Sequence, residues 1–131
     1  MKKETIQERR ENTCDEIDIA KDEVNYKRLQ LKVNLEDINK ILRLMEKTRR
    51  IISSLRYLEL NWRKNIDYEK QLRMADERLK DFLNLYKITI LKRKLLKNEF
   101  KQAQRKLAKK LKRIKDFDKK YFPREVSNGK R

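Results

Sequence analysis

The chain has 131 residues, 45% of them charged and 37% hydrophobic, with 38 Lys and Arg against 21 Asp and Glu for a formal charge of +17. That length allows one domain or one extended element, and so thin a supply of apolar side chains argues against a large spherical core. The single Gly and single Pro, Gly129 and Pro123, both fall in the last nine residues, which excludes a turn-rich all-β fold or an α/β fold built on glycine loops.

Histidine is absent and Cys14 is the only cysteine. Neither a Cys/His zinc site nor a Ser/His/Asp or Cys/His catalytic system can be assembled, so no metal, no cofactor and no enzymatic activity are expected. A lone cysteine cannot close an intrachain disulfide, which agrees with a reducing compartment. The opening MKKETIQERRENTC lacks the apolar region of a signal peptide, and no stretch approaches the roughly 18 apolar residues of a membrane span. A soluble protein is expected, cytoplasmic and cytoskeletal, with the nucleus as the alternative.

Taken in chain order, residues 1–12 read as a charged N-terminal extension. Thr13-Cys14-Asp15-Glu16 has the form of a capping box and marks the start of a first coiled-coil helix over 13–52, with Asn34 and Asp37 as a weaker internal start. Its heptad a and d positions fall at Cys14, Ile17, Lys21, Val24, Arg28, Leu31, Leu35, Ile38, Leu42, Met45, Arg49 and Ile52, nine of these twelve being apolar. Residues 53–67 follow neither this seam nor the next, because Leu55, Leu58, Leu60, Trp62 and Ile66 are interleaved with Ser53, Ser54, Asn61 and Asn65. This segment reads either as a turn, with Asn65 or Asp67 as N-cap of the second helix, or as a phase slip in one continuous helix. Missing Gly and Pro argue for continuity. Charge argues for the turn, because folding there sets the acids Glu11, Asp15, Glu16, Asp18, Asp22 and Glu23 opposite the bases of 97–109.

A second, basic coiled-coil helix occupies 68–121. Its a and d seam holds Leu72, Leu79, Phe82, Tyr86, Leu96, Phe100, Leu107, Ile114 and Phe117 as the residues expected to meet partner helices, together with Tyr68, Ala75, Thr89, Arg93, Ala103, Lys110 and Tyr121. Leu83, Leu85, Ile90 and Leu111 on the e and g flanks widen the apolar face beyond a two-stranded seam and suit a three- or four-helix contact. Residues 122–131 read as a flexible basic tail. The expected fold is therefore all-α, with long heptad-patterned helices forming an antiparallel helical hairpin or an extended coiled coil.

Charge runs −1, +4 and +14 over residues 1–40, 41–82 and 83–131, from counts of 9 and 10, 11 and 7, and 18 and 4 positive and negative groups. The densest stretch holds Lys92, Arg93, Lys94, Lys97, Lys101, Arg105, Lys106, Lys109, Lys110, Lys112, Arg113 and Lys115 against one acid, Glu99. Such a surface can neutralise phosphates, dock on an acidic protein surface or lie on an anionic membrane; the plain alternative is a solvated coiled-coil flank. Thirteen Lys to five Arg after residue 82 disfavour base-specific readout, because an ammonium group lacks the planar fork that reads guanine. Six of the ten aromatic residues lie on the second seam and are expected to pack there, whereas Tyr57 and Trp62 lie off both seams and are candidates for a partner contact or for filling the turn. Arg28, Arg49, Arg93 and Lys110 interrupt the seams and either specify register by pairing with acids or reach past the edge to solvent.

The function expected from these features is a non-enzymatic coiled-coil scaffold or adaptor in a cytoskeletal or other large assembly. Its seams would bind protein partners as a homo- or hetero-oligomer, and its basic helix an acidic surface. The alternative is non-specific binding of RNA or DNA through the same cations; contact with a membrane is not expected.

Overall fold

The computed structural model of the chain describes residues 5–61 and 66–122. Two α-helices account for nearly all of them: α1, Ile6–Asn61, and α2, Ile66–Tyr121. Lys, Arg, Leu, Glu and Gln lose little rotamer freedom in a helix, and no Gly or Pro interrupts either element. Trp62 and Asn65, and the tail beyond residue 122, lie outside the described residues.

The first helix starts earlier than the Thr13 capping box implies. Thr5 Oγ1 accepts the Glu8 N–H at 3.1 Å, and the Glu8 carboxylate accepts the Thr5 N–H at 3.3 Å, a reciprocal box that satisfies two otherwise free donors. Thr13 lies inside the helix, and its hydroxyl donates to the Arg9 carbonyl at 2.9 Å. The same four-residue signature thus occurs twice, and an uninterrupted helix can use only the upstream copy as its start. Residues 6–12, read as an extension, are helical.

Contacts divide the chain into two compact units, one running Leu31–Leu95 and one joining Met1–Gln30 to Leu96–Arg131. In each, α1 and α2 pair antiparallel. In the Leu31–Leu95 unit the buried side chains are Asn34, Ile38, Ile41, Met45, Thr48 and Ile52 from α1 and Ala75 and Thr89 from α2. In the other unit, Ile17, Ala20 and Val24 of α1 are buried, as are Leu96 and Ala103 of α2.

On α2 the expected a and d positions from Tyr68 to Tyr121 are all buried or half-buried. On α1 the seam is rotated by one position. The expected d residues Ile17, Val24, Ile38, Met45 and Ile52 are buried, but their partners are Ala20, Lys27, Asn34, Ile41, Thr48 and Leu55, one residue before each expected a position. Lys21, Arg28, Leu35, Leu42 and Arg49 are exposed. An unbroken three-four alternation then runs from Arg10 to Leu55, and Leu55 falls in step with it. Residues 53–61 continue α1, and residues 66 and 67 lie in the first turn of α2.

Polar residues explain the rotation. Each one in the observed seam is a miss when only apolar positions are scored, yet each is satisfied in place. Thr48 donates to the Leu44 carbonyl at 2.8 Å. Asn34 Nδ2 donates to the Thr89 carbonyl at 3.3 Å, and Arg93 donates to the Leu31 carbonyl at 3.3 Å and to Asn34 Oδ1 at 3.4 Å. Arg10 and Lys27 reach carboxylates of α2. A buried polar group costs little once its hydrogen bonds are made, so these partners on α2 let the face of α1 that carries Asn34 and Lys27 turn inward.

Candidate polyanion interface and helix seam

In the Leu31–Leu95 unit, Lys92 and Lys94 are exposed, whereas Arg93 is half-buried at the seam, held by the Leu31 carbonyl and Asn34. Arg93 is therefore a packing residue and contributes little to an outer charged surface. In the other unit, Lys97, Lys101, Arg105, Lys106, Lys109, Lys112, Arg113 and Lys115 are exposed, and Lys110 is half-buried at a d position. Lys101, Arg105, Lys109 and Lys112 follow one another at spacings of four, four and three, which puts them on a common strip of α2. That strip faces away from Phe100, Ala103, Leu107, Ile114 and Phe117, all buried or half-buried. The remaining expected seam residues, Leu72, Leu79, Phe82 and Tyr86, are half-buried in the Leu31–Leu95 unit, and Leu96 is buried in the other.

The ion pairs recorded between the helices run opposite to the polarity expected from the acidic cluster. Arg10 of α1 donates to Asp118 of α2 at 2.9 Å, and Lys27 of α1 donates to Glu99 of α2 at 2.7 Å. In both pairs a cation of α1 meets an acid of α2. Glu11, Asp15, Glu16, Asp18 and Asp22 lie off the observed seam and are exposed. The hydrogen bond from Lys27 to Glu99, with the carboxylate charge behind it, raises the Lys27 pKa above its ordinary 10.5.

Aromatic contacts frame the basic helix. Phe117 and Tyr121 stack at 4.6 Å between centroids, and the Lys120 ammonium lies 5.2 Å from the Tyr121 ring. The Arg28 guanidinium sits 5.8 Å from the Phe100 ring, so this exposed arginine packs over the seam instead of interrupting it. Tyr57 is exposed, and Cys14 is half-buried beside the seam.

Two grooves flank the helix pair in the Leu31–Leu95 unit. One contains an open cleft of about 250 Å³ lined by Thr48, Ile51, Leu55, Gln71, Met74, Ala75 and Arg78. The other carries Leu35 and Leu42 of α1, both exposed, and Leu83 and Ile90 of α2, both half-buried. Sequence reasoning singled out Leu83 and Ile90 as surplus apolar positions but placed Leu35 and Leu42 in the seam, and so missed that the four share a flank. Among the described residues no group of His, Cys, Asp and Glu is arranged to hold a metal ion, and no helix is long and apolar enough to cross a membrane. No family model, curated protein or solved structure matches the chain, so a functional reading rests on geometry and charge alone.

Proposed function

We propose that the chain is a non-enzymatic coiled-coil scaffold or adaptor of a cytoskeletal or other large assembly, whose basic α2 helix docks on an acidic protein surface. The observation that carries this reading is the separation of two chemistries on one helix. Around Phe100–Phe117 the seam side chains Phe100, Ala103, Leu107, Ile114 and Phe117 are buried or half-buried, with Leu111 exposed at the seam's edge, while Lys101, Arg105, Lys109 and Lys112 stand exposed on the other side. Cations held at helical spacing on a packed scaffold keep their positions, so an acidic partner meets an ordered row of charge. Lys predominates in the row, which suits diffuse acidic surfaces better than base-specific readout.

Charge reversal at Lys101, Lys106, Lys109 and Lys112 tests it. The quadruple Glu variant should keep its helicity, because all four side chains are exposed, and should lose co-sedimentation with polymerised tubulin or another acidic protein polymer. A parallel RNA titration separates the alternative. If RNA binds at physiological salt with a steep log–log salt slope and acidic protein polymers do not bind, the chain is a non-specific nucleic-acid-binding protein instead.

A further inference from the structure

Two exposed surfaces of this chain have complementary chemistry, and neither belongs to the cation row described above. The first is the groove of the Leu31–Leu95 unit that carries Leu35, Leu42, Leu83 and Ile90. Its α2 rim is basic, Lys80, Lys87 and Lys94 recurring every seven residues beside Leu83 and Ile90; on α1 Lys32 borders Leu35, while Glu46, one turn beyond Leu42, has its charge met by Arg50 at 2.8 Å, and all of these charged side chains are exposed. The second surface is the outer face of α1 in the unit containing Met1–Gln30. There Ile19, Tyr26 and Leu29 form an apolar spine at spacings of seven and three, and Ile19 and Tyr26 are 66% and 59% exposed. On a helix of 3.6 residues per turn, Asp15 and Asp22 lie between Tyr26 and Leu29, and Glu16 and the half-buried Glu23 lie on the other side of Ile19 and Tyr26. Lys21 and Arg28, the cations of that stretch outside the seam, project toward a different face.

An apolar groove with lysines on its rims fits an amphipathic helix with an apolar spine and acids within and beside it, and this chain possesses one. We infer that the chain self-associates by seating the acidic α1 face of one copy, Ile19–Leu29, in the basic-rimmed groove of a second copy. Spine meets groove, burying side chains that each lone copy leaves in water, and the carboxylates meet the lysine rims. A net charge of +17 does not forbid the contact, because at physiological ionic strength screening acts over about 8 Å and the nearest charges dominate. The inference is independent of the proposed docking on acidic partners, since Lys101, Lys106, Lys109 and Lys112 take no part in it.

Sedimentation velocity over a range of protein concentration, with a charge-swapped pair of variants, tests the contact. Wild type should form species of at least twice the monomer mass, and association should weaken as salt rises. Like-charged chains held by apolar contact alone would instead associate more strongly with salt, and that result would overturn the complementary pairing. The variant D15K/E16K/D22K has a basic spine border, and K32E/K80E/K87E has an acidic groove rim. Each should be monomeric by itself with unchanged helicity, and an equimolar mixture should associate again, because every border then faces a rim of opposite sign. Wild type that stays monomeric at every concentration, single variants that still associate, or a mixture that does not recover each sink the proposal. Quadruple reversal of the cation row should leave self-association in place, so the two readings fail separately.

Discussion

At the scale of single residues, the polar members of the seam determine how the helices meet. Asn34 is the most buried of them, and it exchanges hydrogen bonds with a carbonyl and a guanidinium of α2. A one-heptad slide would strand these groups without partners, so they oppose alternative alignments in the way a lone polar residue does in a coiled-coil core. Lys27 plays a similar part through Glu99 and has a consequence that depends on pH. Its pKa is raised above 10.5 in the folded chain, so its contribution to stability is fully present below the unfolded value and is lost only as pH rises through the elevated one. Between pH 7 and 9 the urea midpoint of wild type should therefore show no loss from this pair. Above about pH 10.5 it should fall toward that of Lys27→Met, closing part of the gap between the two. A gap that closes already between pH 7 and 9 would show that the pair is not what stabilises Lys27.

At the scale of the element, the two helices differ in how clearly their inner face is written. The second seam is rich in Leu, Phe and Tyr and interrupted at few points, so its heptad phase is unambiguous. The first helix offers two adjacent phases of nearly equal apolar content, because Leu35 and Leu42 favour one while Ala20 and Ile41 favour the other. Ile41 is 6% exposed and Leu42 is 42% exposed, and this neighbouring pair distinguishes the phases. Ile41→Ala should cost roughly 2–5 kcal/mol, the range for deleting a buried aliphatic side chain. Leu42→Ala should cost under about 1 kcal/mol in the isolated chain, since a surface substitution loses little packing. Chemical denaturation of both variants checks the pair, and a reversed order of costs would restore the unrotated seam.

At the scale of the whole molecule, the core is thin for a chain of this length. Among the described residues no large side chain is fully buried, and several of the buried positions are Ala, Thr or Asn. Long helices draw their stability mainly from tertiary packing of an apolar face and only slightly from intrinsic propensity. Exposed Ile88, Leu91 and Leu95 on α2, like Leu35 and Leu42 on α1, are apolar area that folding of one chain leaves in water. The isolated protein should thus be strongly helical by circular dichroism at low micromolar concentration yet melt at a modest temperature. The midpoint should rise with protein concentration, as mass action requires when folding and association are coupled. A steep transition independent of concentration would instead mark a self-sufficient two-helix fold.

The all-α class, the absence of breakers through residue 122, the phase of α2 and the outward position of the cations between Lys97 and Lys115 other than Lys110 were legible in the amino-acid sequence. Each rests on local propensity or on a periodicity strong enough to need no partner. Charge also pointed to the hairpin, although for a reason the recorded ion pairs do not share: Glu11, Asp15, Glu16, Asp18 and Asp22 are exposed, and the cross-helix pairs use Arg10 and Lys27. The inward face of α1 was decided by tertiary structure. A polar residue such as Asn34 or Lys27 is unfavourable at a seam until a specific partner on the other helix satisfies it, and that partner lies tens of residues away in the chain. Local pattern cannot supply that pairing, because the free energy that selects one phase of α1 over its neighbour exists only when α2 lies alongside.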